Sequence, residues 1–585
     1  MRNRLLLSAV CLAVGAGLAV PPATAIVGSP DGSEPSALAT RDDADHYEFF
    51  FPGADGVQQL HADVLRPRGS SLDEPMPVVL AVSPYTNHNG STIDTDLNGT
   101  GPNPRFFDFL DLTGALDRGY TYAQVDLPGF GGSSGCNDWG GAREQAAVYA
   151  AVQWAAQQPW SNGRVALLGK SYDGWTGLMG VARQPKGLAA VVSLEPVYSG
   201  YRYLYMNGVR RPNNPGTIGL FQVIDAKPGR PGDSPQYQAN GAPQAWCYGV
   251  NVGGAALDDS ESGPYWAERN LVPTARGKTT PVFLTQGFLE TNTKQDGLSE
   301  YWNGLAGSDN HAWFGQFDHA RAWEKDVSGS TPAGEGTRWQ TGRDGSIFVA
   351  EMMRFLDEHL KGVEPAVDDP VVSVQDNLSR WRAEQSWPPA DVQLLTTELR
   401  TGTYTDSGSG SGTRPSPAQG IWSVSEPLAH DVWISGEPVV TVGVTGTTVP
   451  GANLAANVYD VAPDGRVTMV SRGVSLLRGT GARSVSVTMY GQDWVVRAGH
   501  RLAVLLSSAN TDEFTHVATR TPVTVEHAKV ALPFLTEQRT EFLTLDGSNP
   551  RLDAYLERAT SVLPAETIGQ STTPFALPGP LAPPR

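Results

Sequence analysis

The decapeptide VALLGKSYDG, residues 165–174, is an apolar run that stops at a serine close to two glycines. Such a run is typical of a buried parallel strand, and the sharp turn after it predicts Ser171 as a nucleophile at the start of a helix. Asp173 stands where the usual G-x-S-x-G pattern has its second glycine, and Gly174 follows it. A phosphate-binding loop, G-x-x-x-x-G-K-[ST], would need glycine at the position of Arg164. The segment favours a nucleophile over nucleotide binding, and a purely structural turn is the third interpretation.

The amino-terminal segment predicts export. Arg2 and Arg4 precede an apolar run from Leu5 to Val20, and Ala23-Thr24-Ala25 follows. This order is that of a secretory signal peptide cleaved after Ala25, and the apolar run is too short for a comfortable membrane span. We therefore expect a secreted protein with no membrane partner, in a compartment with little nucleotide to bind.

Charge and cysteine content agree with an extracellular protein. The chain has 43 Lys and Arg against 61 Asp and Glu, a net charge of -18, which becomes -20 without the two arginines of residues 1–25. An acidic surface of this kind repels nucleic acid and anionic membranes. Removal of Cys11 with the signal leaves Cys136 and Cys247, which in an oxidising compartment form either one disulfide or two buried thiols.

The 585 residues indicate several domains. Strand and helix patterns alternate on both sides of the turn at Ser171. This alternation predicts a parallel doubly wound α/β sheet with its functional residues at the carboxyl ends of the strands. Residues from about 200 to 275 interrupt this alternation and are predicted to be an inserted helical cap. Short Val- and Thr-rich strands then predict an all-β sandwich. The expected domains are 26–365, with the cap, and 366–585.

A serine nucleophile needs a base and an acid, which follow it in the order Ser, Asp or Glu, His in this class of sheet. Glu290 lies just beyond the strand that follows the cap, and Asp296, nearer a helix start, is its rival. His319 follows the next strand and is the expected base, whereas His311 precedes that strand and faces the wrong end.

The oxyanion of such a reaction needs two hydrogen-bond donors near Ser171. One candidate is the backbone N–H of Tyr172. The other is the hydroxyl of Tyr85, in the loop Ser83-Pro84-Tyr85 after the first long strand, although this tyrosine is equally compatible with simple packing.

These residues resemble the X-prolyl dipeptidyl-peptidase family of serine hydrolases, which includes cocaine-esterase-like enzymes and α-amino acid ester hydrolases. The likeness rests on the hexapeptide Gly169–Gly174 around Ser171 and on four other stretches: residues 83–85, 158–163, 315–319 and 381–389. The resemblance implies an α/β-hydrolase domain with a helical cap, a carboxy-terminal jelly roll, and Tyr85 and Tyr172 as oxyanion donors. Glu290 replaces the aspartate usual at its position.

Within that family the elbow is most similar to the dipeptidyl-peptidase branch, which releases Xaa-Pro dipeptides from a free amino terminus. A carboxylate near the site would bind the substrate ammonium, and Glu195, at the end of the strand after the elbow helix, is the candidate; the alternative is a loop carboxylate paired with Arg202. No cofactor is expected, and no His, Cys and Asp residues show metal-ligand spacing. The alternatives are an esterase or acylase with the same triad, or a non-catalytic carbohydrate-binding protein.

Overall fold

The computed structural model describes residues 41–90, 102–214, 216–241, 245–307, 309–319, 347–445, 450–543 and 549–583, without the side chains of 245–248 and 347. The predicted signal peptide, residues 1–25, lies outside these ranges. Across the described part of the chain, no helix combines the length and apolar character needed to cross a membrane.

The amino-terminal part of the chain alternates strands and helices. Its elements in chain order are β1 (Ala44–Pro52), β2 (Gln59–Pro67), β3 (Met76–Ser83), α1 (Phe107–Thr113), β4 (Thr121–Asp126), α2 (Ala142–Gln157), β5 (Ser161–Lys170), α3 (Tyr172–Arg183), β6 (Leu188–Leu194), α4 (Gly200–Leu204), β7 (Tyr205–Met206), β8 (Val209–Arg210), α5 (Gly216–Asp225), α6 (Pro235–Asn240), α7 (Ala245–Leu257), α8 (Pro264–Ala267), a 3-10 turn (Val272–Ala275), β9 (Val282–Gly287), α9 (Leu298–Trp302), β10 (His311–Gly315), α10 (Ile347–Lys361), β11 (Val372–Gln375) and β12 (Trp381–Glu384).

Ten of these strands form one sheet in the order β1-β2-β4-β3-β5-β6-β9-β10-β11-β12. The strands from β4 to β11 in this order are parallel, and the hairpin β1–β2 and strand β12 add antiparallel edges. Alternate residues of β3 enter two different cores. Val78 and Leu80 pack with α2 and α3, whereas Val79 packs with α1 and α10. Helices therefore cover both faces, as a doubly wound sheet requires.

The insertion between β6 and β9 is helical, as predicted. It contains α4 to α8 and the short hairpin β7–β8. The insertion follows β6, whose neighbour β5 delivers Ser171, so the cap is anchored beside the carboxyl end of the strand that carries the elbow.

The remainder of the chain is an all-β domain followed by two short helices. Its elements are β13 (Val392–Glu398), β14 (Gly402–Thr405), β15 (Gly420–Val424), β16 (Val432–Gly436), β17 (Val439–Thr445), β18 (Ala452–Val461), β19 (Val467–Leu477), β20 (Arg483–Thr488), β21 (Gln492–Val496), β22 (Arg501–Ser507), β23 (Pro522–Leu535), α11 (Pro550–Glu557) and α12 (Ala565–Ser571).

Two sheets build this domain. One has seven strands centred on β17 and β23, and the other has the order β15-β22-β18-β19. Val440 and Val530 of the first sheet and Leu454 and Val504 of the second share one core. The predicted sandwich is therefore present, and its jelly-roll connectivity stays a prediction.

The expected domain boundary at residue 365 differs from the sheet organisation. Strand β11 pairs with β10, and β12 pairs with β11, so these two strands complete the ten-stranded sheet. The sheet of the amino-terminal domain therefore ends at Glu384, and strands of the all-β domain begin at Val392. The composition of β11 is that of a sandwich strand, and only its pairing assigns it to the first domain.

Candidate active site

Ser171 occupies a strained turn between β5 and α3. Its backbone angles, φ 67° and ψ -122°, lie where non-glycine residues are rarely found, and its N–H donates to the carbonyl of Leu194 at 2.9 Å. A Cβ on Gly169 would lie 2.3 Å from the carbonyl carbon of Asp173, and one on Gly174 would lie 2.8 Å from the Leu194 oxygen. Glycine at both positions is therefore what permits the turn, and the geometry is that of a nucleophile elbow.

Asp173, which departs from the common elbow pattern, has a structural partner. Its buried carboxylate accepts a hydrogen bond from Nε of Arg105 at 2.5 Å. The Arg105 guanidinium in turn lies 4.1 Å from the ring centroid of Tyr85. Asp173, which stands where the common pattern has glycine, thus links helix α3 to the loop after β3.

His319 and Glu290 form a tight pair. Nδ1 of His319 lies 2.6 Å from Oε2 of Glu290, whose side chain is fully buried. Burial acts to raise the pKa of Glu290, but the charge and hydrogen bond of His319, the Asn292 amide and nearby Lys294 lower it to about 2. Glu290 is therefore a carboxylate at neutral pH, and it orients the imidazole with Nε2 left for proton transfer.

The rival acid and base lie elsewhere. Asp296 faces Arg211 at 3.4 Å and Arg202 at 4.0 Å. His311 begins β10, and its Nδ1 lies 3.0 Å from the Pro370 carbonyl oxygen. The structure thus pairs the predicted base, His319, with Glu290 and not with the rival acid Asp296. The rival base His311 lies at the start of β10 instead.

The two predicted oxyanion donors lie beside Ser171. The Tyr85 hydroxyl interacts with the Ser171 side chain, and burial raises the pKa of Tyr85, so it remains a protonated donor. The Tyr172 hydroxyl donates to Oε2 of Glu144 at 2.6 Å. Glu144 also accepts the N–H groups of Trp139 and Gly140. This anchor holds the first residue of α3, whose own N–H is the second predicted donor.

These groups share one cavity of about 380 Å³. Its lining comprises Tyr85, Arg105, Trp139, Lys170, Ser171, Tyr172, Trp175, Val197, Tyr203, Asn213, Thr217, Leu220, Phe221, Asn292, Thr293 and His319. Rings and aliphatic groups form much of the wall, and α5 of the cap contributes Leu220 and Phe221. Among the described residues of this lining no side chain carries a carboxylate, whereas Arg105 and Lys170 are cationic.

The placement of Glu195 contradicts its predicted role as the amine receptor. Glu195 is fully buried and does not line the cavity. Its carboxyl accepts hydrogen bonds from the Gly287 N–H and the Gln286 amide, both at 3.1 Å, and interacts with Glu290. Burial and the neighbouring charge of Glu290 raise the pKa of Glu195 well above its ordinary value. Glu195 therefore lies behind Glu290, outside the described lining of the cavity.

Comparison with known proteins identifies the family. Residues 55–321 match the family model of X-Pro dipeptidyl-peptidase (S15 family), and residues 365–552 match that of the X-Pro dipeptidyl-peptidase C-terminal non-catalytic domain. The chain belongs to the X-Pro dipeptidyl-peptidase family. Membership confirms the predicted resemblance, the fold class and the prediction that the chain is an enzyme.

Relatives of this family cover most of the chain. A Streptomyces avermitilis protein named as an Xaa-Pro dipeptidyl-peptidase is 27% identical over 462 residues, 70% of this chain but 62% of the relative, less than two thirds of its length. A CocE/NonD family hydrolase from Staphylococcus aureus superposes with a TM-score of 0.64, 14% identity, and coverage of 84% and 94% of the two chains. An α-amino acid ester hydrolase gives 0.62 and 16%, with 88% and 100% covered. At these identities the solved structures show the fold.

The all-β domain of this X-Pro dipeptidyl-peptidase family member supports the His319 loop, which sequence reasoning missed. The Gln316 amide donates to the side chain of Gln492 and the carbonyl of Asp493, both at 3.0 Å. The Asn549 amide donates to the Gln316 carbonyl at 2.9 Å, and Arg551 pairs with Asp318. The sequence signal was the pair of polar residues Gln316 and Asp318 just before His319, and this pattern does not indicate which residues they contact.

Two further predictions concern cysteine and metal. Cys136 is disulfide-bonded, and the side chain of Cys247 lies outside the described residues. His61, Asp63 and His88 form a buried group able to hold a metal ion, and none of the three lines the cavity. The sequence spacing did not predict this group because His88 lies 25 residues beyond Asp63, in the loop after β3.

Proposed function

We propose that this protein is a serine hydrolase that cleaves after Xaa-Pro through the triad Ser171, His319 and Glu290. The observation that carries the proposal is the convergence of a strained serine elbow and a Glu290-oriented imidazole on one cavity. Three groups from the ends of separate strands meet there, which is the arrangement that acyl transfer requires.

In the proposed reaction Oγ of Ser171 attacks the carbonyl carbon of the scissile bond while His319 takes the hydroxyl proton. The Tyr85 hydroxyl and the Tyr172 N–H stabilise the resulting oxyanion. His319 then gives its proton to the leaving amine, and the C–N bond breaks. A water molecule attacks the acyl-enzyme with the same base, which releases the acid and regenerates Ser171.

Two observations support a prolyl substrate. The family model describes X-Pro dipeptidyl-peptidases. The cavity wall also offers rings and aliphatic groups, among them Trp139, Tyr203 and Phe221. Proline has no N–H to recognise, so a site selects it by shape against surfaces of this kind.

One observation favours a second candidate, an esterase or acylase that uses the same triad. A free amino terminus calls for a carboxylate, and the described lining of the cavity contains none, while Arg105 and Lys170 lie in it. A cavity lining of this composition suits an enzyme whose substrates carry no free amine.

The deciding experiment compares kcat/KM on Ala-Pro and Gly-Pro anilides, their amino-blocked forms and an aryl ester. Turnover confined to the free-amine anilides supports the dipeptidyl-peptidase. Equal or better turnover of blocked anilides or ester supports the second candidate. Ser171→Ala abolishes all activity in either case, and the matched control Ser484→Ala, at an exposed position of strand β20, retains it. Activity that survives in Ser171→Ala overturns both proposals.

We also propose that the protein is exported, on the strength of the signal pattern in residues 1–25. Amino-terminal sequencing of protein recovered from the medium of a secreting host tests this. Ile26 as the first residue is expected, and a chain that stays inside the cells with Met1 intact contradicts the proposal.

A further inference from the structure

A buried cluster of histidines and carboxylates lies on the hairpin β1–β2, outside the cavity. The strand register places Glu48 opposite Asp63, and His61 follows the period-two alternation onto the same face. His88 reaches this face from the loop after β3, three residues beyond Tyr85. His61, Asp63 and His88 are each at most 3% exposed.

The ring nitrogens converge on one carboxylate. Nε2 of His88 lies 2.9 Å from Oδ2 of Asp63, and Nε2 of His61 lies 3.8 Å from Oδ1 of Asp63 and 3.4 Å from Oε1 of Glu48. Zinc bonds of about 2.0–2.2 Å in a tetrahedron put the ligand atoms about 3.4 Å apart. The observed separations bracket that value.

The outer nitrogens of the same two rings are held by other carboxylates. Nδ1 of His61 lies 2.8 Å from Asp126, and Nδ1 of His88 lies 2.8 Å from Asp233. An outer carboxylate on the far ring nitrogen is how proteins orient metal-binding histidines. Nε2 of His61 is buried and has no hydrogen-bond partner among the described residues. The inner nitrogen of His61 is thus available for ligation, and the inner nitrogen of His88 faces the proposed ligand Asp63.

The charges around this cluster call for a cation. Within the described ranges, the basic side chains that pair with Asp63 and Asp126 are all histidines. Glu48 and Asp233 add two more carboxylates. The ligand carboxylate Asp63 also accepts Nε2 of His46 at 2.7 Å and the Gln124 amide at 3.1 Å. These four carboxylates outnumber the three imidazoles, so the cluster favours bound positive charge.

We propose that His61, His88 and Asp63 bind one divalent transition-metal ion of the zinc class. Two imidazoles and a carboxylate whose ligand atoms lie within 4.8 Å of one another suit Zn²⁺ better than Ca²⁺ or Mg²⁺, which prefer all-oxygen sites. The ion has a structural role. It ties the hairpin β1–β2 to the loop that carries Tyr85, and through Asp233 to the cap.

The first test measures metal in the full-length protein, purified without chelators. About one equivalent of zinc per chain is expected by elemental analysis. After removal with a strong chelator, the melting temperature falls and Zn²⁺ restores it, and a Co²⁺ titration gives the visible bands of tetrahedral cobalt. Protein without bound metal, cobalt bands or a change in melting temperature overturns the proposal.

Variants then locate the site. His61→Gln is expected to lose the metal, whereas His527→Gln, an exposed histidine of β23, keeps one equivalent. Asp126→Asn removes the charge of the outer partner of His61, which also accepts hydrogen bonds from Thr86 and the Gly132 N–H, and should weaken Co²⁺ binding about 10- to 100-fold. Asp126→Asn and the wild-type titration decide the matter even if His61→Gln fails to fold. Unchanged Co²⁺ affinity in both variants places the metal elsewhere and refutes this site.

Discussion

The role of the Tyr85 hydroxyl decides whether this residue is an oxyanion donor or only packs in the site. Tyr85→Phe keeps the ring on Arg105 but removes the donor beside Ser171. Loss of one such donor lowers kcat about 10²- to 10³-fold with little change in KM. Steady-state kinetics check this, with Tyr149→Phe on helix α2 as the control. A wild-type kcat in Tyr85→Phe would leave this tyrosine with a packing role.

Glu195 provides a pH-dependent prediction. Burial and the charge of Glu290 raise its pKa, so the folded protein holds a proton that the unfolded chain releases above about pH 4.5. The wild type therefore loses stability as the pH rises from there towards the folded-state pKa. Glu195→Gln has no such proton, so its melting temperature relative to wild type should be higher at pH 8 than at pH 5. Thermal melts measure this, and a difference that does not vary with pH, as expected for the exposed control Glu557→Gln, contradicts it.

Most of the site could be predicted residue by residue because each group follows the end of a strand. Ser171, Glu290, His319 and Tyr85 share that local signal, and the structure brings all four together. Glu195 carries the same signal, yet a φ of 45° and hydrogen bonds from β9 fix it beneath the sheet edge. Chain position does not reveal whether a side chain faces the cavity or the layer behind it.

At the scale of elements, the elbow between β5 and α3 depends on Gly169. In Gly169→Ala the new Cβ meets backbone atoms of Asp173 at 2.3 Å, which cannot move without unwinding the first turn of α3. We expect a destabilisation of about 3 kcal/mol, the upper end of overpacking costs, and loss of activity. Urea unfolding and kcat measure the two effects.

Gly569→Ala is the matched control for this substitution. Gly569 lies within helix α12 with nothing within 4 Å of its added Cβ. Alanine is the better helix former, so this variant should gain stability, by about 0.5–1 kcal/mol. Equal behaviour of the two variants would contradict the steric argument for the elbow.

The local sequence pattern predicts those helices and strands in which apolar residues recur with a single clear period. Helix α2 runs over Ala142–Gln157 as its apolar spacing indicates, and the hairpin β1–β2 follows its alternation and its Gly-rich turn. The sequence pattern does not show that β11 joins the first sheet, because its partner β10 lies some sixty residues earlier in the chain. Pairing at that range leaves no mark in the composition.

At the scale of the whole molecule, the two domains are joined by a buried ion pair. Arg382 of β12 makes two 2.7 Å contacts with Asp493 of β21, which also accepts the Trp433 indole N–H. Asp493→Ala leaves the guanidinium without this partner and should cost about 3–5 kcal/mol. Calorimetry measures the shift. The exposed pair of Asp464 and Arg466 is the control, and Asp464→Ala should melt as the wild type does. An unshifted Asp493→Ala would mean that the interface does not depend on this pair.

The support of the His319 loop by Asn549 and Arg551 has a consequence for the order in which the protein is made. Synthesis runs from the amino to the carboxyl end, so Ser171 and His319 leave the ribosome more than two hundred residues before the side chains that brace the loop. A nascent or prematurely terminated chain therefore holds Ser171 and His319 without that brace, and the loop is fully braced only after residue 551 has been made.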